Sequence, residues 1–437
     1  MTDREVNIVE DEEKFDVIII GAGPAGSACA YILAREGKNV LIIERGDIAG
    51  NKNVTGGRLY TYALELLEPG LYKEAVLERK VVSEQIMLLT EKTGLTIDYF
   101  DESEPSGALP PQSYTVLRAP FDEWLAGKAE EQGAMLATGI LVNDLIMKDG
   151  KVVGVKAGED EMYADIVIAA DGVNSFMAQK AGLKKEWNSH EVGVGVKEII
   201  ELPAEVISNR FQVCEDEGVA RTLLGNTDGV QGGGFLYTNK NSISLGLVLS
   251  PEALARQKRS IADIYQDFKM HPAIYRAIEG GTTIEYSAHL VPENGWNSVP
   301  EKLYRDGFLV IGDAAGFVIN TGTMIRGIDL AIVSGVAAAR AVLAATAPSE
   351  VGPEYVRTLE ELHVPATMKL FAGWPQITGM ERMAATYPAM ANEMLRFMFK
   401  VDGTVPEKMP KAMYQIMKKY VSLGQLLSDA WKGFKAI

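Results

Sequence analysis

The sequence predicts an α/β chain, α+β overall, in which a parallel-sheet unit is interrupted by an antiparallel-sheet domain and followed by a helical region. Three observations carry this. The first thirty residues of ordered pattern alternate strand, helix and strand. The stretch from Val192 to Ser250 is strand-rich with turn residues between its runs. Beyond Gly327 the pattern is mostly helical. A length of 437 residues with 47% hydrophobic content is ample for two or three structural units. The 43 glycines against 18 prolines point to tight turns rather than disorder, given that apolar content.

The elements follow in order. FDVIII from Phe15 is a short β-branched run, hence a buried strand. GAGPAGSACAYILAREG is a glycine turn and a helix ending at Gly37, and NVLIIER is a second buried strand. This is a right-handed βαβ unit with parallel strands. IMLLTEKTGLTIDYF alternates around a turn, as antiparallel strands do, and RAPFDEWLAGKAEEQGA from Arg118 reads as a helix. Asp149–Gly150 marks a hairpin between LVNDLIMK and KVVGVKA. ADIVIAADG returns to the first sheet. VGVGVKEIIEL, GGGFLYT and SISLGLVLS form the second sheet, with Asn239–Lys240–Asn241 at a turn, and Ile261–Glu279 is helical. FLVIGDAAG from Phe308 is a strand, a turn and a helix start. The expected division is 1–80, 116–185 and 301–350 for the first unit, 81–115 and 186–300 for the second, and 351–437 for the helices.

A net charge of −16 repels phosphate backbones, so nucleic acid is excluded as a partner class. The two cysteines, Cys29 and Cys214, exclude a disulfide framework and indicate a reducing compartment. They also exclude a self-contained iron–sulfur cluster, which usually takes four cysteines. The N-terminal MTDREVNIVEDEEKF lacks the pattern of a secretory leader. AIVSGVAAARAVLAATA, the closest approach to a spanning helix, carries Arg340 and many small residues, and reads as a packed core helix. The expectation is a cytoplasmic protein, with peripheral contact at the membrane left open.

The strongest motif is Gly21-Ala22-Gly23-Pro24-Ala25-Gly26 between strand and helix, with Glu44 closing the next strand. Gly21 permits the turn, Gly23 lets backbone approach a pyrophosphate, and Gly26 lets helix and strand pack closely. The helix N-terminus offers N–H groups and partial positive charge. Glu44 is placed to accept ribose hydroxyls. The motif alone does not separate NAD from FAD. His190, His271, His289 and His363 are scattered and read as structural, so no catalytic dyad and no metal site is expected.

With Ala170-Asp171-Gly172 and Gly312-Asp313-Ala314-Ala315 added in order, the chain resembles the FAD-dependent superfamily of aromatic hydroxylases, geranylgeranyl reductases and electron-transfer flavoprotein–quinone oxidoreductases. The resemblance implies a Rossmann-like FAD-binding domain. Within it Arg118 matches an arginine near the FAD, Val142 a backbone position at the adenine, and Arg45 a neighbour of Glu44. Taken alone, each Asp equally suits a helix cap or turn.

Three segments narrow the resemblance to the quinone-oxidoreductase branch and its FixC-type subunits: Asn51-Lys52-Asn53-Val54-Thr55-Gly56-Gly57-Arg58-Leu59-Tyr60, Gly232-Gly233-Gly234-Phe235-Leu236-Tyr237, and Asn320 to Asp329. It covers essentially the chain to about Ser349, and the remainder less distinctively. It implies cofactor contacts from Lys52, Asn53, Val54 and Gly57, and from Gly322, Thr323 and Met324, whose backbone N–H groups would stabilise negative charge on a reduced flavin, with Asn320 and Thr321 adding side-chain donors. It further implies a heterodimeric electron-transfer flavoprotein fed by NADH, a quinone acceptor such as menaquinone, and electron bifurcation that also reduces ferredoxin. Single-chain members carry a four-cysteine C-terminal domain that this chain lacks, so the cluster would lie on a small ferredoxin-like iron–sulfur subunit. The Met- and aromatic-rich helices near the C-terminus suit partner docking, a core pair or a membrane surface. A geranylgeranyl-reductase-like enzyme saturating isoprenoid double bonds, an aromatic hydroxylase, and a scaffold keeping FAD structurally remain alternatives.

Overall fold

The computed structural model describes residues 14–51, 56–103 and 110–436. Unbroken apolar runs build the first sheet. Val17 to Ile20 and Val40 to Ile43 are buried throughout, as strands covered on both faces must be. Met135–Ala137, Val40–Ile43, Phe15–Ile20, Asp160–Ala169 and Phe308–Val310 lie side by side, all parallel, with Tyr304–Arg305 antiparallel at the edge. The hairpin Asp144–Lys148 to Lys151–Ala157 extends the early part of Asp160–Ala169. Its turn has Asp149 at φ 51° and Gly150 at φ 80°, the left-handed pair that the Asp–Gly dipeptide predicts.

The helix Pro24–Arg35 starts on proline, which supplies a fixed φ and lacks a donor that would be orphaned there. It packs along Ile328–Ala344, the alanine-rich run expected to be core, whose residues are nearly all buried. Gly335 makes the close crossing possible, because a Cβ there would overlap the Ala25 carbonyl oxygen. Among the described residues no helix is long and apolar enough to cross a membrane.

The second sheet, nine-stranded among the described residues, runs Thr282–Pro292, Val192–Glu201, Ser242–Leu249, Gly232–Thr238, Glu217–Gly225, Lys80–Leu89, Ser113–Leu117 and Gly56–Tyr60, with Gly94–Phe100 pairing back on Lys80–Leu89. It is not purely antiparallel. Glu217–Gly225 runs parallel to Lys80–Leu89, because these strands come from distant segments and no hairpin sets their direction. Ile264, Tyr265 and Phe268 of the helix Ile261–Lys269 cover one face and close a separate core.

FLVIGDAAG also departs from expectation. After Phe308–Val310 comes one 3₁₀ turn, Gly312–Ala315, ended by Gly316 at φ 77°, and no α-helix begins until Ile328. The chain then stays helical. Its last helix, Leu423–Ala436, is tied down through buried Asp429, which accepts from Arg382 Nε at 2.6 Å and Nη2 at 2.7 Å and from Tyr387 Oη at 2.5 Å. The Arg382 guanidinium holds the Asp429 carboxyl down at about 2.

Candidate functional site

Strand ends of the parallel sheet assemble the site. Gly21 N–H donates to Ile43 O at 2.8 Å, Ala170 N–H to Ile20 O at 2.9 Å, and Ile311 N–H to Ala169 O at 3.0 Å. These ladder bonds bring the N-terminal glycine turn, the Asp171 segment and the Gly312 segment to one edge, although nearly 300 residues separate the first from the last. The glycines then differ by role. Gly21 has φ 107°, and a Cβ would overlap Ala170 O. At Gly26 a Cβ would overlap Gly21 O. Gly23 has nothing within 4 Å, which leaves an open cradle at the helix N-terminus beside Pro24 and Ala25. Gly312, at φ 61°, fits against Ala25 with 2.9 Å to a notional Cβ.

Glu44 stands at the end of its strand, half-buried. Its carboxylate accepts from Ala22 N at 3.0 Å and Gly46 N at 2.7 Å. One bond per oxygen leaves acceptor capacity for ribose hydroxyls. Gly139 N donates to Gly46 O at 2.8 Å and Ile140 N to Glu44 O at 3.0 Å, which carries the loop bearing buried Val142 alongside. Val142 precedes its strand rather than lying in it. Arg45 is exposed beyond Glu44.

Asp171 is a helix cap with one oxygen to spare. One oxygen accepts from Met177 N at 3.0 Å and caps the short helix Phe176–Lys180; the other, Oδ1, is buried without a partner. Burial pushes this carboxyl up. Gly172 follows at φ 72° into open space. Ser175 Oγ and Lys184 Nζ both donate to Ala314 O, at 3.0 and 3.2 Å, and so lock the Asp171 segment to the Asp313 turn. Burial lowers Lys184 to about 8.

Arg118 begins the helix Arg118–Glu131 and grips buried Asp122 with two bonds, 2.9 and 2.7 Å. Burial works against its charge, and Asp122 more than offsets that. Asp313 is pushed up by burial and drawn back by Arg118, Lys184 and Lys197. Lys197, from Val192–Glu201, is lowered to about 7 by burial, with Arg118 adding to the effect. His289, on the neighbouring strand, is lowered to about 3 by burial and by Lys197 and Arg118. Lys197 and His289 were not anticipated as site residues. The usable signal was a lysine inside an otherwise apolar strand, VGVGVK.

The segment 320–324 meets the second sheet. Its donors are not free as expected: Gly322 N–H is taken by Asn320 Oδ1 at 2.7 Å and Met324 N–H by Thr321 Oγ1 at 3.0 Å. The short polar side chains satisfy these groups locally. Thr323 O accepts from Thr222 Oγ1 of the second sheet at 3.5 Å. Gly57 faces the start of the long helix, 3.2 Å from Ile328 Cδ1 to a notional Cβ. Lys52, Asn53 and Val54 lie outside the described residues.

Comparison with known proteins agrees with this geometry. The FAD binding domain family matches residues 14–350, and the ETF-QO/FixC family C-terminal domain matches residues 375–437. Protein FixC of Escherichia coli (strain K12) is 48% identical, over 97% of this chain and 99% of its own. The probable electron transfer flavoprotein-quinone oxidoreductase YdiS of the same strain is 44% identical, over 98% of this chain and 100% of its own. Among solved structures, a geranylgeranyl bacteriochlorophyll reductase-like protein from Thermoplasma acidophilum superposes with a TM-score of 0.71 at 20% identity, covering 98% of this chain and 100% of its own. The flavin-dependent halogenase CmlS gives 0.65 at 20% identity, over 95% and 78%. At that identity the solved structures share the fold alone. FAD is the cofactor, and the residues suit it: the open cradle at Gly23, the spare acceptors of Glu44 and the unpartnered Asp171 oxygen all face one edge.

Proposed function

The chain belongs to the ETF-QO/FixC family of FAD-dependent oxidoreductases, and from that premise we propose that it takes electrons from a heterodimeric electron-transfer flavoprotein, ultimately from NADH, and passes them to a quinone. The observation that carries this reading is the pairing, in one chain, of the FAD binding domain with the family's own C-terminal domain. FAD supplies a carrier that exchanges electrons singly or in pairs. The quinone takes two electrons and two protons to become the quinol, menaquinone being the expected acceptor.

The chain's residues bind and orient. In this reading the Gly21–Gly26 turn receives the pyrophosphate: Gly23, Ala25 and Gly26 present backbone N–H groups at the helix N-terminus, and Gly21 and Pro24 shape the turn. Glu44 accepts the ribose hydroxyls, with Arg45 and Val142 at the adenine end. Ala170, Asp171, Gly172, Gly312 and Asp313 line the ribityl chain, and Arg118 and Lys197 set the positive potential there. Gly57, Gly322, Thr323 and Met324 shape the flavin end, together with Lys52, Asn53 and Val54.

The iron–sulfur chemistry falls to a partner. The two cysteines, Cys29 and Cys214, are fewer than the four such a cluster usually takes. A small ferredoxin-like subunit would supply the cluster, in a complex that bifurcates electrons to ferredoxin and quinone. Leu423, Leu427, Trp431 and Phe434 stand exposed along one side of the last helix, Phe434 by 73%, with Lys432 and Lys435 beside them. That face suits partner docking, with peripheral contact at the cytoplasmic membrane surface overlapping it.

The test is anaerobic co-purification with subunit identification, flavin and iron analysis, and NADH-driven reduction of a menaquinone analogue. The expected result is an assembly with a heterodimeric flavoprotein and an iron–sulfur subunit, active only when complete. Recovery of a lone flavoprotein that saturates isoprenoid double bonds would overturn the reading in favour of the geranylgeranyl-reductase alternative.

A further inference from the structure

Where the second sheet meets the flavin end of the site, one carboxylate crosses the seam. The strand Thr282–Pro292 ends beside Val192–Glu201, and the next residue, Glu293, is anchored there by its N–H on Glu191 O at 2.9 Å. Its side chain accepts from Asn320 Nδ2 at 2.6 Å. Asn320 Oδ1 in turn accepts from Gly322 N at 2.7 Å. These two bonds fix the amide's orientation. A flipped Asn320 would set its oxygen against the carboxylate and its NH₂ against the Gly322 N–H, two repulsions at once. The carboxylate thus decides how the 320–324 turn is held. Room for it exists because position 193 is glycine; a Cβ there would come within 3.1 Å of Glu293 Cγ.

The surroundings of Glu293 make its charge costly. Burial pushes its carboxyl up to about 7, with the Asn320 bond opposing. The charged and titratable groups on the segments that flank it are His289 and Glu191, with Lys197 further along the neighbouring strand. Lys197 and Arg118 act on Asp313 and on His289. Asn188 holds Glu191 through its backbone and side-chain N–H groups, at 2.8 and 2.9 Å.

We propose that Glu293 is a positioning residue of the flavin site: its carboxylate orients Asn320 and the Gly322–Met324 turn, and its protonation is linked to the charge carried by the bound cofactor. Negative charge gained at the flavin end raises the proton affinity of a nearby carboxylate, and by linkage a protonated Glu293 favours that charge. A charge-assisted bond to Asn320 is then exchanged for a neutral, weaker one, which relaxes the turn. This rests on the reading that the 320–324 turn adjoins the flavin, and it is independent of which acceptor is used.

The experiment uses the full-length, FAD-loaded chain and needs no acceptor. Infrared difference spectra, reduced minus oxidised, are recorded near pH 7 in H₂O and D₂O, and midpoint potentials are titrated with redox dyes from pH 6 to pH 8.5. The wild type is expected to gain a deuterium-sensitive protonated-carboxyl band on reduction. Its potential is expected to depend on pH more steeply than that of Glu293→Gln, in which the band is absent. Glu293→Gln, which still accepts from Asn320, should retain FAD within about threefold of wild type, and Glu293→Ala should lose it more than about tenfold. A wild-type spectrum without such a band overturns the proposal whether or not any variant folds, as do parallel potential–pH lines for wild type and Glu293→Gln. Failure to reduce a quinone would leave these readouts unchanged and would strike only the acceptor assignment.

Discussion

The two sheets bury polarity by opposite rules. In the parallel sheet the central strand runs, Val17–Ile20, Val40–Ile43 and Ile166–Ala169, carry no ionisable side chain, and the acids Glu44, Asp171 and Asp313 fall where strands have ended. Burial of these runs leaves no route to water, so charge is confined to the carboxyl ends, where ligands bind in such folds. The second sheet accepts charge within its strands: Glu198 and Lys197 on one, Arg221 on another, with Arg79 at an entrance. Arg79 is fully buried, and its guanidinium donates to Asn239 O at 2.7 Å, Ser208 Oγ at 3.0 Å, Lys240 O at 3.1 Å and Ala204 O and Glu217 O at 3.2 Å. Arg118, in the first unit, has a carboxylate partner instead. One unit keeps its acids to the ends of its strands; the other carries charge within them. Both leave no room for a Cβ at several glycines, and the second depends in addition on complete hydrogen bonding of its buried charges.

The largest expected break in this contrast is Gly26→Val. The new Cβ would overlap Gly21 O, so helix and strand cannot close; the protein should be recovered colourless or insoluble, read by flavin absorbance. Next comes Arg79→Met, which strands several buried acceptors. A loss of about 3 kcal/mol, or roughly 3 °C in Tm, is expected with the FAD spectrum unchanged where the protein remains folded. Denaturant unfolding followed by fluorescence and by flavin release separates the two. Glu44→Gln sits lower. It removes a charged acceptor and sets an NH₂ group against one of the two backbone donors, and FAD affinity should fall by roughly tenfold, about 1.4 kcal/mol, measured by equilibrium dialysis. Glu293 supplies a pH test. Its folded value lies above its ordinary 4.5, so the native state holds the proton more tightly than the unfolded chain does. The stability linked to it is present below about 4.5 and is lost as pH rises through about 7. Wild-type Tm relative to Glu293→Gln should therefore fall between pH 5 and pH 8. The smallest effect is Asp429→Asn, which weakens the clamp on the last helix; faster proteolysis near Val421 with unchanged flavin absorbance is the expected outcome.

The parts legible in the sequence were those whose physics is local. The run FDVIII, the Gly21–Gly26 spacing and the Asp149–Gly150 turn each fix their own geometry within a few residues. The second sheet was only partly legible, because its order is set by pairs far apart in the chain. Glu217–Gly225 and Thr282–Pro292 went unrecognised as strands; the latter is a largely exposed edge whose polar residues look like loop. Parallel pairing of Glu217–Gly225 with Lys80–Leu89 leaves no local trace. The 320–324 turn was anticipated as a loop of free donors, yet Asn320 and Thr321 consume two of them. Glu293 was missed because its role depends on a partner on another sheet.

The crossing of Pro24–Arg35 with Ile328–Ala344 at Gly335 has a consequence for biosynthesis. The cradle's first wall leaves the ribosome early, but Phe308–Val310, the Asp313 turn and the bracing helix follow only after the whole second sheet. The edge that gathers the glycine turn, the Asp171 segment and the Asp313 turn is therefore complete only once nearly four-fifths of the chain has been made.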